Sequence, residues 1–192
     1  MSQARQQSPT GGSAQAAIEE FLRDHGADRL PHPGGTLLEH LLRVQRLLAQ
    51  WGAGPALQTA GLCHATYGTD GFATTLLPLT ERATLVALIG ESAEALVYLY
   101  ASCDRATVYP GIDGTAAVTF RDRFTGREHH PSPAGLGAFL EITAANELDV
   151  LAHNAELAEQ HGPGLYGFLK RAGSLLSPAA QDAVDRQLAR LP

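Results

Sequence analysis

The sequence predicts a mainly all-α protein, a helical bundle with a small irregular or β-hairpin excursion near residues 107–130. Apolar residues recur at i, i+3 and i+4 along most of the chain, which is the spacing of amphipathic helices on a shared core. Capping signals of the Ser-Pro and Thr-x-x-Glu types precede several of these runs. The weak alternation at residues 117–120 is the strand-like exception.

Length and composition favour one globular domain without a nucleic-acid or membrane partner. The 192 residues are 44% hydrophobic and 18% charged, and the net charge of -6 includes no Lys/Arg run. No apolar run approaches a membrane span and no export signal is evident, so we expect a cytoplasmic protein. Its partner should be a small polar molecule, and the sequence leaves the oligomeric state open, a homodimer included.

The two cysteines and the unequal use of amino acids each support one further expectation. Cys63 and Cys103 have no CxxC spacing, so buried free thiols are expected rather than a disulfide or a thiolate zinc site. Lys170 is the single lysine and alanine is abundant, a bias associated with GC-rich bacterial genomes.

The N-terminal segment is polar and without periodicity. Residues 1–14 are rich in Gly and Ser and are predicted to form a disordered arm, which leaves residues 15–192 as a single domain. A short amphipathic helix is expected from Gln15 to His25, where Gly26 ends it.

A Pro/Gly-rich loop precedes the first long helix. Thr36 and Glu39 form a capping-box pattern that opens a helix from Leu37 to Trp51. His40 borders the apolar face of this helix, and Arg43 follows one turn later. His32 lies in the preceding loop, where a histidine before proline is expected to be solvated.

The stretch AGLCHATYGTDGF ends the next helix. Pro55 opens that helix, and His64 stands where it gives way to the turn at residues 67–71, which a helix would not tolerate. Two further helices are expected at residues 84–89 and 91–103. Asp104 then either forms an ion pair with Arg105, caps a helix, or takes part in chemistry.

The excursion and the C-terminal helices complete the chain. Thr125-Gly126 is a plausible hairpin tip, and His129-His130 behind it are expected to be ordinary loop residues, although the sequence does not show whether they reach the site. Ser132-Pro133 opens a helix with Asn146, Asp149 and His153 on one side. Helices at residues 164–176 and 179–191 should buttress the bundle.

These placements predict one candidate site. A mid-helix His40 and a helix-end His64 can direct two imidazoles to one interior point, and we expect them within about 7 Å of each other. The alternative is that both are hydrogen-bonded core histidines. His40, His64 and Asp104 are the predicted catalytic residues, and the predicted substrate-binding residues are Arg43, Tyr67, Thr69, Asp70, Arg105, Asn146 and Asp149.

The order of these segments resembles the HD superfamily of metal-dependent helical phosphohydrolases, and within it the (p)ppGpp-hydrolase-like branch. LLEHLLRV is similar to the helix with the family's first histidine, AGLCHATYGT to its second histidine segment, and EITAANELDVL to its late helix. The resemblance covers about residues 30–155. It implies an HD-domain-like bundle in which His40 and His64 match two metal ligands.

The sequence departs from that family at its acidic positions. Ala65 stands where the family has an aspartate, Asn146 replaces the last aspartate, and Gly68 and Thr69 replace an acidic pair. Carboxylates supply the negative charge that a hard divalent ion needs. We therefore expect either no metal or one weakly held divalent ion on His40 and His64, with Asp104 or Asp70 as its third ligand, and (p)ppGpp hydrolysis is not supported.

The same motifs are also similar to a widespread DUF6817-like family of uncharacterised proteins with AGLFHSxYGT and AN-L motifs. In that pattern a small residue follows the histidine and the late position is asparagine, as in this chain. This resemblance implies a different site on the same scaffold.

Three functions remain open from the sequence. The first is an enzyme that uses the two histidines for acid-base hydrolysis, elimination or isomerisation of a small molecule, for example in specialised metabolism. The second is a non-catalytic regulatory protein that binds a nucleotide or metabolite. The third is a helical interaction module, and an iron-dependent HD-type oxygenase or a metal-dependent phosphohydrolase is the metal-dependent form of the first.

Overall fold

The computed structural model describes residues 11–115 and 117–189. Its first helix, α1 (Gly11–Asp24), begins four residues inside the predicted arm, so the predicted boundary at residue 14 was wrong. Residues 12–17 are exposed, and the buried face of α1 begins at Ile18, so the first turn of the helix extends beyond the amphipathic pattern that the sequence shows. Residues 1–10 of the predicted arm lie outside the described residues.

A short hairpin replaces the expected loop before the second helix. Strands β1 (Pro31–His32) and β2 (Gly35–Thr36) pair antiparallel, with His32 opposite Gly35. Gly34 has φ +77°, a left-handed backbone conformation that favours glycine. Helix α2 (Leu37–Gln50) starts at Thr36 with the predicted capping box, in which the Thr36 and Glu39 side chains bond each other's backbone N–H groups.

Helix α3 (Pro55–Cys63) packs closely on α2. A Cβ on Gly61 would lie 2.3 Å from Leu48 Cδ1, so glycine at this position permits the close approach. His64 is the C-terminal cap of α3, as the sequence predicted. The chain then turns through Gly68 at φ +70°, and Thr69 pairs with Phe72 across the turn.

The middle of the chain contains three helices and a second hairpin. A 3-10 turn leads into α4 (Arg82–Ile89), and Gly90 separates it from α5 (Glu91–Ala101). After the short α6 (Arg105–Val108), strands β3 (Phe120–Arg121) and β4 (Glu128–His129) pair antiparallel. The small hairpin excursion predicted near residues 107–130 is therefore confirmed.

Three helices close the described chain. Ser132 caps α7 (Pro133–Ala152), and Ser177 caps α9 (Pro178–Leu188), as predicted. Between them, α8 runs Ala155–Arg171 with Pro163 inside it, so the predicted start at Gly164 was wrong. An Asn154 cap and burial against α7 and α9 offset the cost of the proline inside the helix.

The helices share a core to which α2 and α7 are central. Helix α2 packs on α3 and α7, α3 also packs on α5, and α7 contacts α5, α8 and α9. Buried apolar side chains from Ile18 in α1 to Leu188 in α9 form this core. Among the described residues, no helix is long and apolar enough to span a membrane. The arrangement is mainly all-α, as predicted, and it brings the polar residues of α2, α3 and α7 together.

Candidate functional site

A buried carboxylate fixes His40. The His40 side chain is fully buried, and its Nδ1 donates to Asp149 Oδ2 at 2.7 Å. Arg43 holds the same carboxylate from α2, with Nε 2.7 Å from Oδ1 and Nη2 3.0 Å from Oδ2. Burial raises the pKa of Asp149, but the hydrogen bonds from His40 and Arg43 outweigh it and hold that pKa below its usual value. Asp149 is therefore an anion that keeps the proton of His40 on Nδ1.

The end of α3 fixes His64 in the same tautomer. Its Nδ1 donates to the Gly61 carbonyl at 2.7 Å, and its ring lies edge-on to Tyr100 at 5.1 Å between centroids. Burial, followed by the electrostatic interaction with the His40 imidazole, lowers the pKa of His64 to about 3. His64 is therefore neutral near pH 7, with an unprotonated Nε2.

Both Nε2 atoms approach Asn146 on α7. The His40 and His64 ring centroids lie 5.3 Å apart, within the limit of about 7 Å predicted from the sequence. Each Nε2 is 3.1 Å from Asn146 Oδ1. Asn146 thus faces the two histidines, as its register on the late helix predicted.

The contacts of both Nε2 atoms with Asn146 Oδ1 bring lone pairs together, because both imidazole protons lie on Nδ1. Turning the amide would let its Nδ2 donate to both imidazoles, but Oδ1 would then face the Glu147 carboxylate, which Nδ2 now contacts at 3.1 Å. The present orientation leaves two pairs of acceptors in contact, and the turned one leaves one pair. The point between these three residues therefore favours an additional proton or cation.

The β1–β2 hairpin covers His40, and Arg43 holds it in place. Arg43 Nη2 donates to the Pro33 carbonyl at 2.9 Å and Nη1 to the Gly34 carbonyl at 3.2 Å. This places the His32 ring on that of His40, 4.0 Å apart between centroids and 28° from parallel. The expectation that His32 is solvated was wrong: burial, followed by the electrostatic interaction with the His40 imidazole, lowers its pKa to about 4, and its Nδ1 is buried without a partner among the described residues.

A cleft of about 440 Å³ opens above these residues. His32 and Phe72 form one wall, and Asn146, Thr69 and Arg105 line the rest with residues of α8. His40 and His64 lie beneath Asn146 and His32 and do not line the open space. The predicted binding residues Thr69, Arg105 and Asn146 are thus at the cleft, and the two imidazoles form the layer below it.

Arg105 links the cleft to the turn after His64. Its backbone N–H donates to Asp70 Oδ2 at 2.8 Å, and its guanidinium donates to Tyr100 Oη at 3.0 Å and Glu147 Oε1 at 3.1 Å. Asp70 is exposed and positions Arg105 instead of lining the cleft. Arg43 and Asp149, also predicted to bind substrate, are held in the contacts with His40 and the hairpin.

Several predicted residues lie in other contacts. Tyr67, next to the His64 turn, donates to the buried Glu94 at 2.9 Å, and Arg82 binds Glu94 with two hydrogen bonds. Asp104 caps α6 through the Thr107 N–H and lies 3.6 Å from Arg121, so the capping alternative describes it and a place beside the histidines does not.

The histidines of the second hairpin also lie elsewhere. His129 is exposed on β4 with its ring 5.1 Å from Phe120, and His130 Nδ1 lies 3.1 Å from the Val118 carbonyl. Neither lines the cleft.

The donor set bears on the metal that the resemblance to the HD superfamily implies. Within residues 11–115 and 117–189, no group of three His, Cys, Asp or Glu side chains could hold a metal ion. Asp104 and Asp70, the third ligands considered from the sequence, therefore do not complete a site with His40 and His64. Two imidazoles and one amide oxygen could hold a single ion through neutral donors, but they do not fit a carboxylate-bridged pair.

Sequence reasoning missed two residues of the site, His32 and Glu147. His32 was named but set aside, and a stronger signal was its position in a Pro/Gly-rich turn just before the His40 helix. Glu147 follows Asn146 directly, so a search for acids flanking the late helix position would have found it.

Comparisons with known proteins identify one similarity. A family model described as a domain of unknown function (DUF6817) matches residues 21–105. The match includes His32, His40, His64 and Arg105 and ends before Asn146 and Asp149, and it supports the similarity to that family. No curated protein and no solved structure matches the chain.

Proposed function

We propose that this protein is an enzyme that uses His40 and His64 for acid-base chemistry on a small polar molecule bound in the cleft. The observation that carries the proposal is the shared tautomer: acceptors fix both Nδ1 protons, and both Nε2 atoms point to one place. A core histidine needs only one satisfied hydrogen bond and gives no reason for this convergence.

Asp149 and His40 form the acid-base unit. His40 Nε2 takes a proton from the substrate, and the Asp149 carboxylate stabilises the imidazolium that results. His64 is neutral and lies on the far side of Asn146, so it can accept or return a second proton. Two imidazoles that can each accept and return a proton suit hydrolysis, elimination or isomerisation.

The scaffold we propose is a degenerate HD domain. The order of the two histidine segments and the late helix supports this, and the half-buried Asn146 stands at the position of an acidic ligand. On the charge of the donors we expect no metal or one weakly held divalent ion. An ion held there by His40, His64 and Asn146 would supply Lewis-acid chemistry, as in the phosphohydrolase or oxygenase alternatives.

A non-catalytic binding protein is the second candidate, and the cover over the histidines favours it. Asn146 and His32 separate both Nε2 atoms from the open cleft. A ligand that touches only Arg105, Thr69 and Asn146 would bind without meeting an imidazole. Catalysis requires Asn146 or His32 to move.

Mass spectrometry of a cellular metabolite mixture incubated with the pure protein tests the proposal. We expect at least one compound to be consumed by the wild type and spared by His40→Gln and Asp149→Asn. His129→Gln, on the exposed hairpin, is the matched control and should consume it normally. Retention of a compound without conversion would instead favour the binding protein, and equal consumption by His40→Gln would exclude the acid-base role.

A further inference from the structure

Arg105 is the cation that lines the cleft beside Asn146, among the lining residues that the structure describes. Its guanidinium is largely buried, with 21% of the side chain exposed. Tyr100, which accepts one of its hydrogen bonds, is buried under the cleft. Tyr100 therefore fixes the Arg105 guanidinium from the buried side, and the remaining N–H donors of the guanidinium face the cleft.

A single carboxylate oxygen from this chain occupies the cleft side of Arg105. Glu147 Oε1 accepts from Arg105 Nη1 and from Asn146 Nδ2, both at 3.1 Å. By contrast, Arg82 binds Glu94 through two bonds of 2.6 and 2.7 Å. The Arg105–Glu147 pair thus lacks the two-pronged geometry that a guanidinium prefers, and Glu147 is partly exposed and free to swing outward.

Tyr109 supplies a second donor near Arg105. Its hydroxyl is buried and has no hydrogen-bond partner in the described part of the chain, and its ring is fixed by stacking on Phe168 at 4.5 Å. Arg105 Cζ lies 5.9 Å from the Tyr109 ring centroid. Both residues, with Glu147 and His161, line a neighbouring cavity of about 360 Å³. A buried hydroxyl without a partner is unfavourable, and an acceptor brought by a ligand would satisfy it.

We propose that a carboxylate group of the substrate binds where the cleft meets the neighbouring cavity, at Arg105 and Glu147, which line both. It displaces Glu147 from Arg105 and accepts a hydrogen bond from Tyr109 on the side of that cavity. The Glu147 carboxylate already occupies the position beside Arg105, which shows that a carboxylate fits there. Its departure also removes the acceptor of Asn146 Nδ2, so the whole Asn146 side chain can swing away from His40 and His64. This inference rests on the proposed function only in taking the cleft as the substrate site.

Benzoate and its neutral analogue benzamide are suitable probes, with binding followed by NMR titration of the full chain. We expect saturable benzoate binding and at least roughly tenfold weaker benzamide binding, because a charge-assisted pair is the stronger one. Glu147→Gln removes the competing charge and should strengthen benzoate binding by on the order of tenfold. Glu159→Gln makes the same change at an exposed position of α8 outside both cavities and should leave the affinity unchanged.

Tyr109→Phe removes the hydroxyl alone and should weaken benzoate binding by on the order of tenfold. Its control is Tyr166→Phe, because the Tyr166 hydroxyl bonds Asp185 away from both cavities. Equal affinities for benzoate and benzamide, or an unchanged affinity in Glu147→Gln, would overturn the inference. If benzoate binds as expected but the protein consumes no metabolite, carboxylate recognition is supported and the acid-base function is contradicted. The two proposals can therefore fail separately.

Discussion

At the scale of single residues, Asn146 determines whether a proton or a metal ion can bind between His40 and His64. Its neutral amide meets the lone pair of His64 Nε2, a contact that a carboxylate would turn into a binding site for a proton or an ion. We expect Asn146→Asp to raise Zn²⁺ affinity by at least about tenfold, because it adds the missing charge between two imidazoles. Equilibrium dialysis with elemental analysis measures the change.

The control for this substitution is Asn154→Asp, which makes the same chemical change at the cap of α8 and preserves the capping acceptor. Its zinc content should equal that of the wild type. Equal zinc affinity in Asn146→Asp would mean that residue 146 does not direct its side chain between the imidazoles.

His64 should make stability depend on pH. Its pKa is about 3 in the folded protein and about 6.5 in the unfolded chain, so the unfolded chain binds the proton first as the pH falls. The free energy of unfolding should therefore decrease from about pH 6.5 towards pH 3, by on the order of a few kcal/mol from this residue. Urea unfolding at several pH values measures the slope.

His64→Gln should flatten that slope, since glutamine does not titrate. His161→Gln changes an exposed histidine and should retain the wild-type slope. A slope identical in His64→Gln and wild type would show that His64 is not held neutral by burial.

The hydrogen-bond partners of individual side chains were harder to predict from the sequence than the helices. Thr36 with Glu39 located the start of α2, and the helical positions of His40 and His64 predicted their approach, because capping and periodicity are local signals. Tyr67 is three residues from His64, yet its hydroxyl donates a hydrogen bond to Glu94 on α5. The packing of α3 against α5 brings these two side chains together. Local patterns carry no information on such choices.

At the scale of elements, the β1–β2 hairpin depends on Gly34. Its φ is +77°, and an added Cβ would lie 2.5 Å from the His153 ring. We expect Gly34→Ala to destabilise the protein by about 2 kcal/mol or more, from backbone strain plus the displaced ring. Gly52→Ala is the control, because Gly52 has φ +79° with nothing near its Cβ position and should show the backbone cost alone.

Denaturant unfolding of the two glycine variants gives the difference directly. Equal losses would mean that the ring of His153 moves aside without cost. The hairpin could not be predicted from the sequence in this form, since its position over His40 depends on Arg43 reaching the Pro33 carbonyl from α2.

At the scale of the whole molecule, Phe139 joins regions that are distant in sequence. Its buried ring on α7 lies 5.8 Å from Tyr100, 5.5 Å from Phe120 and 6.4 Å from Tyr109. Phe139→Ala should lower the free energy of unfolding by about 3–5 kcal/mol, the usual cost of such a cavity. Unfolding followed by Trp51 fluorescence and by far-UV circular dichroism should still coincide.

Phe124→Ala removes a half-buried ring of the excursion and should cost much less. Separate fluorescence and dichroism transitions in Phe139→Ala would contradict a shared core, because the two signals report on α2 and on all helices.

The partners that define the site are far apart along the chain. The contacts of Asn146 with His64 and His40 span 82 and 106 residues, and that of Asp149 with His40 spans 109. Closing such loops is entropically costly and slow compared with forming single helices. During synthesis, the ribosome must therefore release α7 before either imidazole acquires its final partner, so the site is assembled late, in one step with the packing of α2 against α7.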